Sequence, residues 1–312
     1  MSKEWEEKLA SQKYNVEHAL AIEALKTIIM PVRFIYEPER LKEFKTALKC
    51  CHIYMIGYMP TIQTDGAGII DKDHVITNWL VGGKPYTVRT SIFAEGCTVH
   101  EEGGRWWIVD PKGIRRTPDT LMKRARQQLG DEQTAFPFKV LYIGQAFGKN
   151  GSRQALDRLL QGHEKLQEIC IKGVPPEHAI YLLFINVAPG PNLNTILNPQ
   201  AKEQGNTHGR ILKGLEAQQE TTEAQKTTLF EASFIRYFKP LYNKEFKENF
   251  PSTNMNLLQE CYEKDINTII AELNIDAEFQ VTSDTIPPQK NHMAIHELHS
   301  EMDRKIFFGL IK

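Results

Sequence analysis

The run Ala179-Ile-Tyr-Leu-Leu-Phe-Ile-Asn-Val-Ala188 constrains this chain more than any other stretch. It is almost wholly apolar, rich in β-branched and aromatic residues, and entered straight after the Pro175-Pro176 breaker, so it is expected as a strand. Lys139-Val-Leu-Tyr-Ile-Gly-Gln-Ala146 reads the same way. Neither approaches the ~18 unbroken apolar residues that cross a bilayer, so no membrane partner is expected. At 312 residues, 41% hydrophobic and 25% charged, the chain has the texture of a folded protein of about two domains. Its 38 Lys and Arg nearly cancel 39 Asp and Glu, which excludes a global basic field but not a local patch. The charged N-terminus lacks the apolar core of a signal peptide. Five cysteines (Cys50, Cys51, Cys97, Cys170, Cys261) make an odd set without a CxxC pair, so a reduced, cytoplasmic setting is expected.

Residues 3–29 carry Trp5, Leu9, Ala19, Leu20, Ile22 and Leu25 at roughly helical spacing, and a second helical run covers Glu37–Leu48. From His52 to Val109 come short β-branched and aromatic runs divided by Gly, Pro and Asp, which predicts a small meandering antiparallel sheet. Residues 111–135 read as a connector holding a helix that Thr117 or Asp119 caps and Gly130 ends. Between Lys112 and Arg126, the six basic residues Lys112, Arg115, Arg116, Lys123, Arg124 and Arg126 face Asp119 alone, either a solvated helix face or a phosphate-facing patch. A helix from Arg153 to about Ile169 is expected after the 139–146 strand, and residues 189–226 read as a polar surface insertion. The tail reads as a helix over Leu257–Leu273, a strand over Glu278–Thr282 and a His-rich helix. The expected division is an α+β N-terminal domain over 1–135, a second domain over 136–250 and a C-terminal helical extension over 251–312.

Within the second domain, Tyr142-Ile143-Gly144 stands on a strand, Arg158-Leu159 and His163 stand on the following helix, and Glu231 opens an apolar helix that Pro240 stops ahead of Leu241-Tyr242-Asn243. In that order and on those elements, these residues resemble the GIY-YIG nuclease family. The tell-tale piece is a glutamate on a helix followed by a Pro-x-Tyr-Asn turn, here Glu231 and Pro240–Asn243. The resemblance covers about 138–250 and implies an α/β (α+β) fold, a small mixed sheet flanked by helices. The family's first motif, whose tyrosine belongs to the active site, is not found shortly ahead of Tyr142, where Asp131-Glu132-Gln133 stands. The candidate alternative for that strand is Gly104–Val109, which puts a tryptophan in the tyrosine's place.

The resemblance implies a metal-dependent endonuclease that hydrolyses phosphodiester bonds in DNA, with RNA as the alternative substrate, in restriction, mobile-element or antiviral defence. Glu231 is the implied ligand of one Mg²⁺ or Mn²⁺, a hard cation that takes oxygen donors and keeps most of its waters. Tyr142, Arg158, His163, Glu231 and Asn243 are the implied catalytic set. An arginine forks onto the phosphate, a tyrosine activates or relays to the water, and a histidine moves a proton. Arg158 and His163 are five residues apart, so a regular helix would turn them away from each other. Arg153 at the helix start is a rival for the phosphate, and Lys149 in the preceding loop can meet a backbone phosphate; Arg115, Arg116 and Arg124 complete the expected nucleic-acid contacts. A protein partner or second copy is expected at residues 1–110. The same residues also fit a catalytically silent module of that fold that binds nucleic acid or protein. Outside this set, His292, His296 and His299 share a helical face and read as a surface or interface stripe rather than a zinc site. The chain carries no Walker A loop, dinucleotide-binding glycine motif or nucleophile elbow.

Overall fold

The computed structural model describes residues 14–91, 95–131, 136–147, 155–190, 192–243, 266–275 and 279–298, together with residues 3, 6, 7, 10 and 302. It is a mixed α+β structure built on one large curled sheet. The strands that form it are β1 (Val16–Pro31), β2 (Ile53–Pro60), β9 (Pro137–Gln145), β10 (His178–Val187), β12 (Thr268–Asn274), β13 (Gln280–Thr282) and β14 (Asn291–Glu297). They lie in the order β13-β9-β2-β10-β1-β12-β14, and β11 (Asn192–Leu197) also pairs with β1. The expected boundaries at 135/136 and 250/251 therefore run through this sheet rather than between separate bodies.

The β1 strand is the largest departure from the sequence reading, which expects a helix there. Its first half pairs with β11 on one side and with β12 on the other, and its second half pairs with β10. Hydrogen bonding along both edges outweighs the weak helical spacing, as tertiary context commonly does. β11 takes up the same edge of β1 where β10 leaves off, so residues 192–197 extend the sheet and are not a detached insertion. The tail changes likewise. Residues 268–274 and 291–297 pair with each other as strands, not helices, and residues 257–265 lie outside the described set.

Alternation along β2 separates two cores. Ile53 and Met55 enter one, which α7 (Glu223–Phe238) fills with Phe230, Phe234 and Phe238. Tyr54 and Ile56 enter the other, covered by α4 (Ala155–Leu160) and α5 (Glu164–Lys172) through Leu156, Leu159, Leu166 and Ile169. α1 (Pro38–Lys42) and α2 (Lys45–Leu48) follow β1, matching the helical reading of Glu37–Leu48 in two short pieces. α6 (Thr207–Gln219) lies against β1 and β11.

Between β2 and β9 the chain inserts two three-stranded antiparallel sheets and a helix. The first sheet is β3 (Ile62–Asp71), β4 (His74–Val81) and β5 (Lys84–Ser91); the second is β6 (Thr98–Glu102), β7 (Arg105–Val109) and β8 (Arg115–Arg116); α3 (Pro118–Asp131) follows. Trp79 of β4 and Trp106 of β7 meet edge to face at 6.5 Å between centroids. Trp79, Val81 and Val88 also join the core under α7, so this inserted module packs on the main sheet.

β2 and β9 approach tightly at Gly57, where an added Cβ would lie 2.3 Å from the Lys139 carbonyl oxygen and 2.7 Å from Phe138 Cζ. Gly57→Ala is expected to cost about 1–3 kcal/mol in urea unfolding because the central pair of strands must separate. Gly190→Ala, where nothing among the described residues lies within 4 Å of the added Cβ, is expected to change stability by less than about 0.5 kcal/mol. Equal midpoints for the two variants would contradict this packing.

Candidate functional site

The partner of the Tyr142-Ile143-Gly144 strand is β2, not Gly104–Val109. Tyr54 stands opposite Gly144, Met55 opposite Ile143 and Ile56 opposite Tyr142. Trp106 and Trp107 instead pair with Glu101 and His100 in the inserted module. The strand that faces Tyr142-Ile143-Gly144 therefore carries Tyr54, within His52-Ile53-Tyr54. The whole inserted module separates it from the strand it faces.

Two local features set Tyr54 and Tyr142 side by side. The register slips between Ile56 and Gly57, whose partners are Tyr142 and Val140, leaving Leu141 as an extra residue on β9. Such a bulge re-aims the side chains after it. Phe138 and Val140 enter the core under α7, whereas Leu141 and Tyr142 turn to the Tyr54 side. Gly144 then leaves room for the Tyr54 ring, since a Cβ there would lie 2.6 Å from Tyr54 Oη and 2.8 Å from Tyr142 Cε1. The ring centroids of Tyr54 and Tyr142 are 6.2 Å apart.

The helix expected over 153–169 is broken at Gly162, where φ is +90°. His163 caps the second piece: its Nδ1 accepts the Leu166 N–H at 3.1 Å. With Nδ1 accepting, Nε2 carries the ring proton and points it at Tyr54 Oη, 2.7 Å away. The break removes the angular conflict between Arg158 and His163, because Arg158 stands on α4 whereas His163 caps α5 in an extended conformation. His163 is buried and also lies edge-on to Tyr142 at 5.3 Å between centroids.

Arg158 and Glu231 come from opposite faces of the sheet and meet the end of β9 through one residue. Arg158 Nη1 donates to the Gln145 carbonyl at 2.5 Å, and the Gln145 N–H donates to the Glu231 carboxylate. Gln145 also donates through Nε2 to Thr228 Oγ1, one turn earlier on α7, at 3.2 Å. Glu231 is only 4% exposed, and its Oε2 finds no hydrogen-bond partner among the described residues. Burial pushes its carboxyl up to about 8, against the opposing pull of Arg158 and the Gln145 N–H. Burial likewise holds the Tyr54 phenol well above its usual range, with Tyr142 and Glu231 adding to the shift and Arg158 opposing it. Tyr54 is thus kept as a neutral hydrogen-bonding group between His163 and Tyr142.

Asn243 takes a different part from the one expected of it. Its Oδ1 accepts the Ile143 N–H at 2.8 Å, and its Nδ2 donates to the Ile143 carbonyl at 2.7 Å. The Tyr242 N–H donates to the Leu141 carbonyl at 3.0 Å. β13 pairs with β9 only as far as Lys139, so the turn after α7 stands in for the missing neighbour along the rest of β9. With both polar atoms engaged and 3% exposure, Asn243 is a positioning residue for Tyr142 and Gly144.

Tyr142, Arg158, His163 and Glu231 are thus assembled around Tyr54 at the end of β9, with Asn243 behind them. Arg115 and Arg116 lie on β8 in the inserted module; Arg124 is on α3, with its side chain outside the described set. Lys149 and Arg153 also fall outside the described residues. The histidine stripe is not a surface feature. His292 is buried beside Tyr237, His296 Nε2 meets the Ser233 carbonyl at 3.1 Å, and His299 lies outside the described set. Among the described residues no group of three or more His, Cys, Asp or Glu is placed to hold a metal ion. A single cation at Glu231 remains compatible with the donor set, because the buried, unpartnered Oε2 is a hard oxygen that a cation would satisfy. Comparison with family models, curated proteins and solved structures finds no match to the chain.

The raised carboxyl predicts a particular pH dependence of stability. Folded Glu231 holds its proton up to about pH 8, whereas the unfolded carboxyl loses it in the ordinary range near 4.5. Between those two values the unfolded chain gives up its proton while the folded state keeps it, which favours unfolding, so Glu231 makes folding less favourable as pH rises. Glu231→Gln is expected to match the wild type near pH 5 and to melt at higher temperature by pH 8, without added metal. Parallel melting curves across that range would contradict a buried, proton-holding Glu231.

Proposed function

We propose that this chain is a metal-dependent endonuclease of the GIY-YIG kind that hydrolyses phosphodiester bonds in DNA. The observation that carries the reading is Tyr54. It supplies, on the strand paired with Tyr142-Ile143-Gly144, the hydroxyl that the family's first motif contributes, with His52 where that motif has glycine. Phosphodiester hydrolysis needs an activated water, neutralisation of phosphoryl charge and help for the leaving oxygen. A divalent cation bound at Glu231 would supply charge neutralisation and leaving-group stabilisation. Half-buried Arg158, fixed to Gln145 by Nη1, keeps further N–H groups for a phosphate fork. His163 and Tyr54 orient the half-buried Tyr142, which activates water directly or relays its proton.

One observation favours a second reading. A carboxyl that is 4% exposed and protonated to about pH 8 without a cation also suits a silent binding module, in which Glu231 is merely buried. Incubating supercoiled plasmid with Mg²⁺, Mn²⁺ or EDTA separates the two. Nuclease action predicts metal-dependent nicking that climbs from pH 6 towards pH 9, because a cation needs the ionised carboxylate. It also predicts a loss of at least about a hundredfold in Glu231→Ala. Nicking that survives Glu231→Ala, or its absence in both metals over plasmid, oligonucleotide and RNA substrates, would favour the binding module.

A further inference from the structure

The inserted module carries an ordered feature that the chemistry at Tyr54 does not use. Across the exposed face of its second sheet, His100 of β6, Trp107 of β7 and Arg115 of β8 form a row. The His100 and Trp107 rings are parallel within 7°, with centroids 5.8 Å apart, and the Arg115 guanidinium sits 4.2 Å from the Trp107 ring centre. Thr98 Oγ1 holds His100 Nε2 at 2.8 Å, so the imidazole is oriented rather than loose. His100 and Arg115 are exposed and Trp107 is half-buried, whereas the opposite face of the same sheet sinks Trp106 and Ile108 into a core with Val75 and Leu121. A buried role for Trp107 is therefore already excluded by the fold, and the row is displayed.

A cleft of about 1090 Å³ opens beside it, between the start of β3 and the start of β7. β8 pairs only with Ile108 and Val109, and β3 pairs only with β4, so residues 105–107 and 62–64 present strand edges to the cleft. Its wall carries Arg105 and Arg115 against a single carboxylate, Glu102. At the Gly103-Gly104 tip a Cβ would meet nothing within 4 Å among the described residues. Stacked rings, a stacked guanidinium and a net positive polar cleft are the elements with which proteins hold unpaired bases and their phosphates.

We propose that the cleft and the His100–Trp107–Arg115 row bind single-stranded DNA, with bases stacking on the row and phosphates lying along Arg105 and Arg115. This deepens the nuclease reading and rests on it for the choice of DNA. A duplex hides its base faces, so an unpaired stretch is the form this surface takes.

The test is fluorescence anisotropy of labelled dT20, rU20 and a 20-base-pair duplex in EDTA, where binding is read without cleavage. The wild type is expected to bind dT20 at least tenfold more tightly than duplex. Trp107→Ala is expected to lose about tenfold or more on dT20, and Trp107→Phe to retain most of the affinity. Arg115→Ala is expected to weaken binding and to lower the slope of log affinity against log salt by about 0.7. Equal dT20 affinity in wild type and Trp107→Ala, preference for duplex, or binding of rU20 alone would overturn the proposal. If Trp107→Phe fails as badly as Trp107→Ala, ring stacking is not the mode and the proposal is again overturned. Cleavage reports on Glu231 separately, so dT20 binding through Trp107 without cleavage of plasmid, oligonucleotide or RNA in either metal would count against the nuclease reading and leave this surface standing.

Discussion

Everything at the candidate site depends on the pairing of β2 with β9, and most locally on Tyr54 lying across Gly144. That contact requires a residue without a side chain on one strand and an aromatic ring on the other, since a single Cβ would collide with the phenol. The Leu141 bulge then brings Tyr142 to the same face. Held together, the two phenols give His163 a partner for Nε2, and that hydrogen bond is possible because the Leu166 N–H occupies Nδ1. Arg158 and Glu231 join through the two backbone groups of Gln145, the last residue of β9. One strand end thus organises groups contributed by three helices and a second strand. The Asn243 turn fixes that strand end from its open side.

The energetic tension in this arrangement is concentrated at Glu231. A carboxylate that is almost fully enclosed costs free energy unless it is protonated, hydrogen-bonded or paired with a cation. Gln145 satisfies part of this demand, while Oε2 stays unpartnered. Buried polar atoms left in this way are uncommon, and a water, an ion or a catalytic role is the usual account of one. The surrounding aromatic core under α7, with Phe230, Phe234 and Phe238, supplies the apolar burial that holds the helix in place despite that cost.

The local signals in the sequence were readable because they lie within single elements. The strands at 139–146 and 179–188 and the helix ending before Pro240 follow from short-range pattern, whereas Tyr142, Arg158, His163 and Glu231 are singled out only by the family resemblance. Tyr54 was not readable in this way, because the module from Ile62 to Asp131 opens the hairpin between the two tyrosine strands. The signal present was Ile53-Tyr54 at the head of an apolar strand, meaningful only once its partner is known. β1 and β14 failed for a related reason. Both are fixed by neighbours distant in sequence, and residues four apart, such as His292 and His296, share a face in a strand as well as in a helix. Asn243 shows the reverse case: its place in the Pro-x-Tyr-Asn turn lies within one short segment, but the bonds of its side chain to both backbone groups of Ile143 depend on the fold.

In the proposed nuclease, Tyr54 and Tyr142, far apart in sequence, act as one unit. Single-turnover cleavage rates of Tyr54→Phe, Tyr142→Phe and the double variant measure this directly. A shared unit predicts that each single change slows cleavage by about a hundredfold or more and that the double change adds little further. Losses that multiply in the double variant, or a Tyr54→Phe protein that cleaves at the wild-type rate, would contradict it.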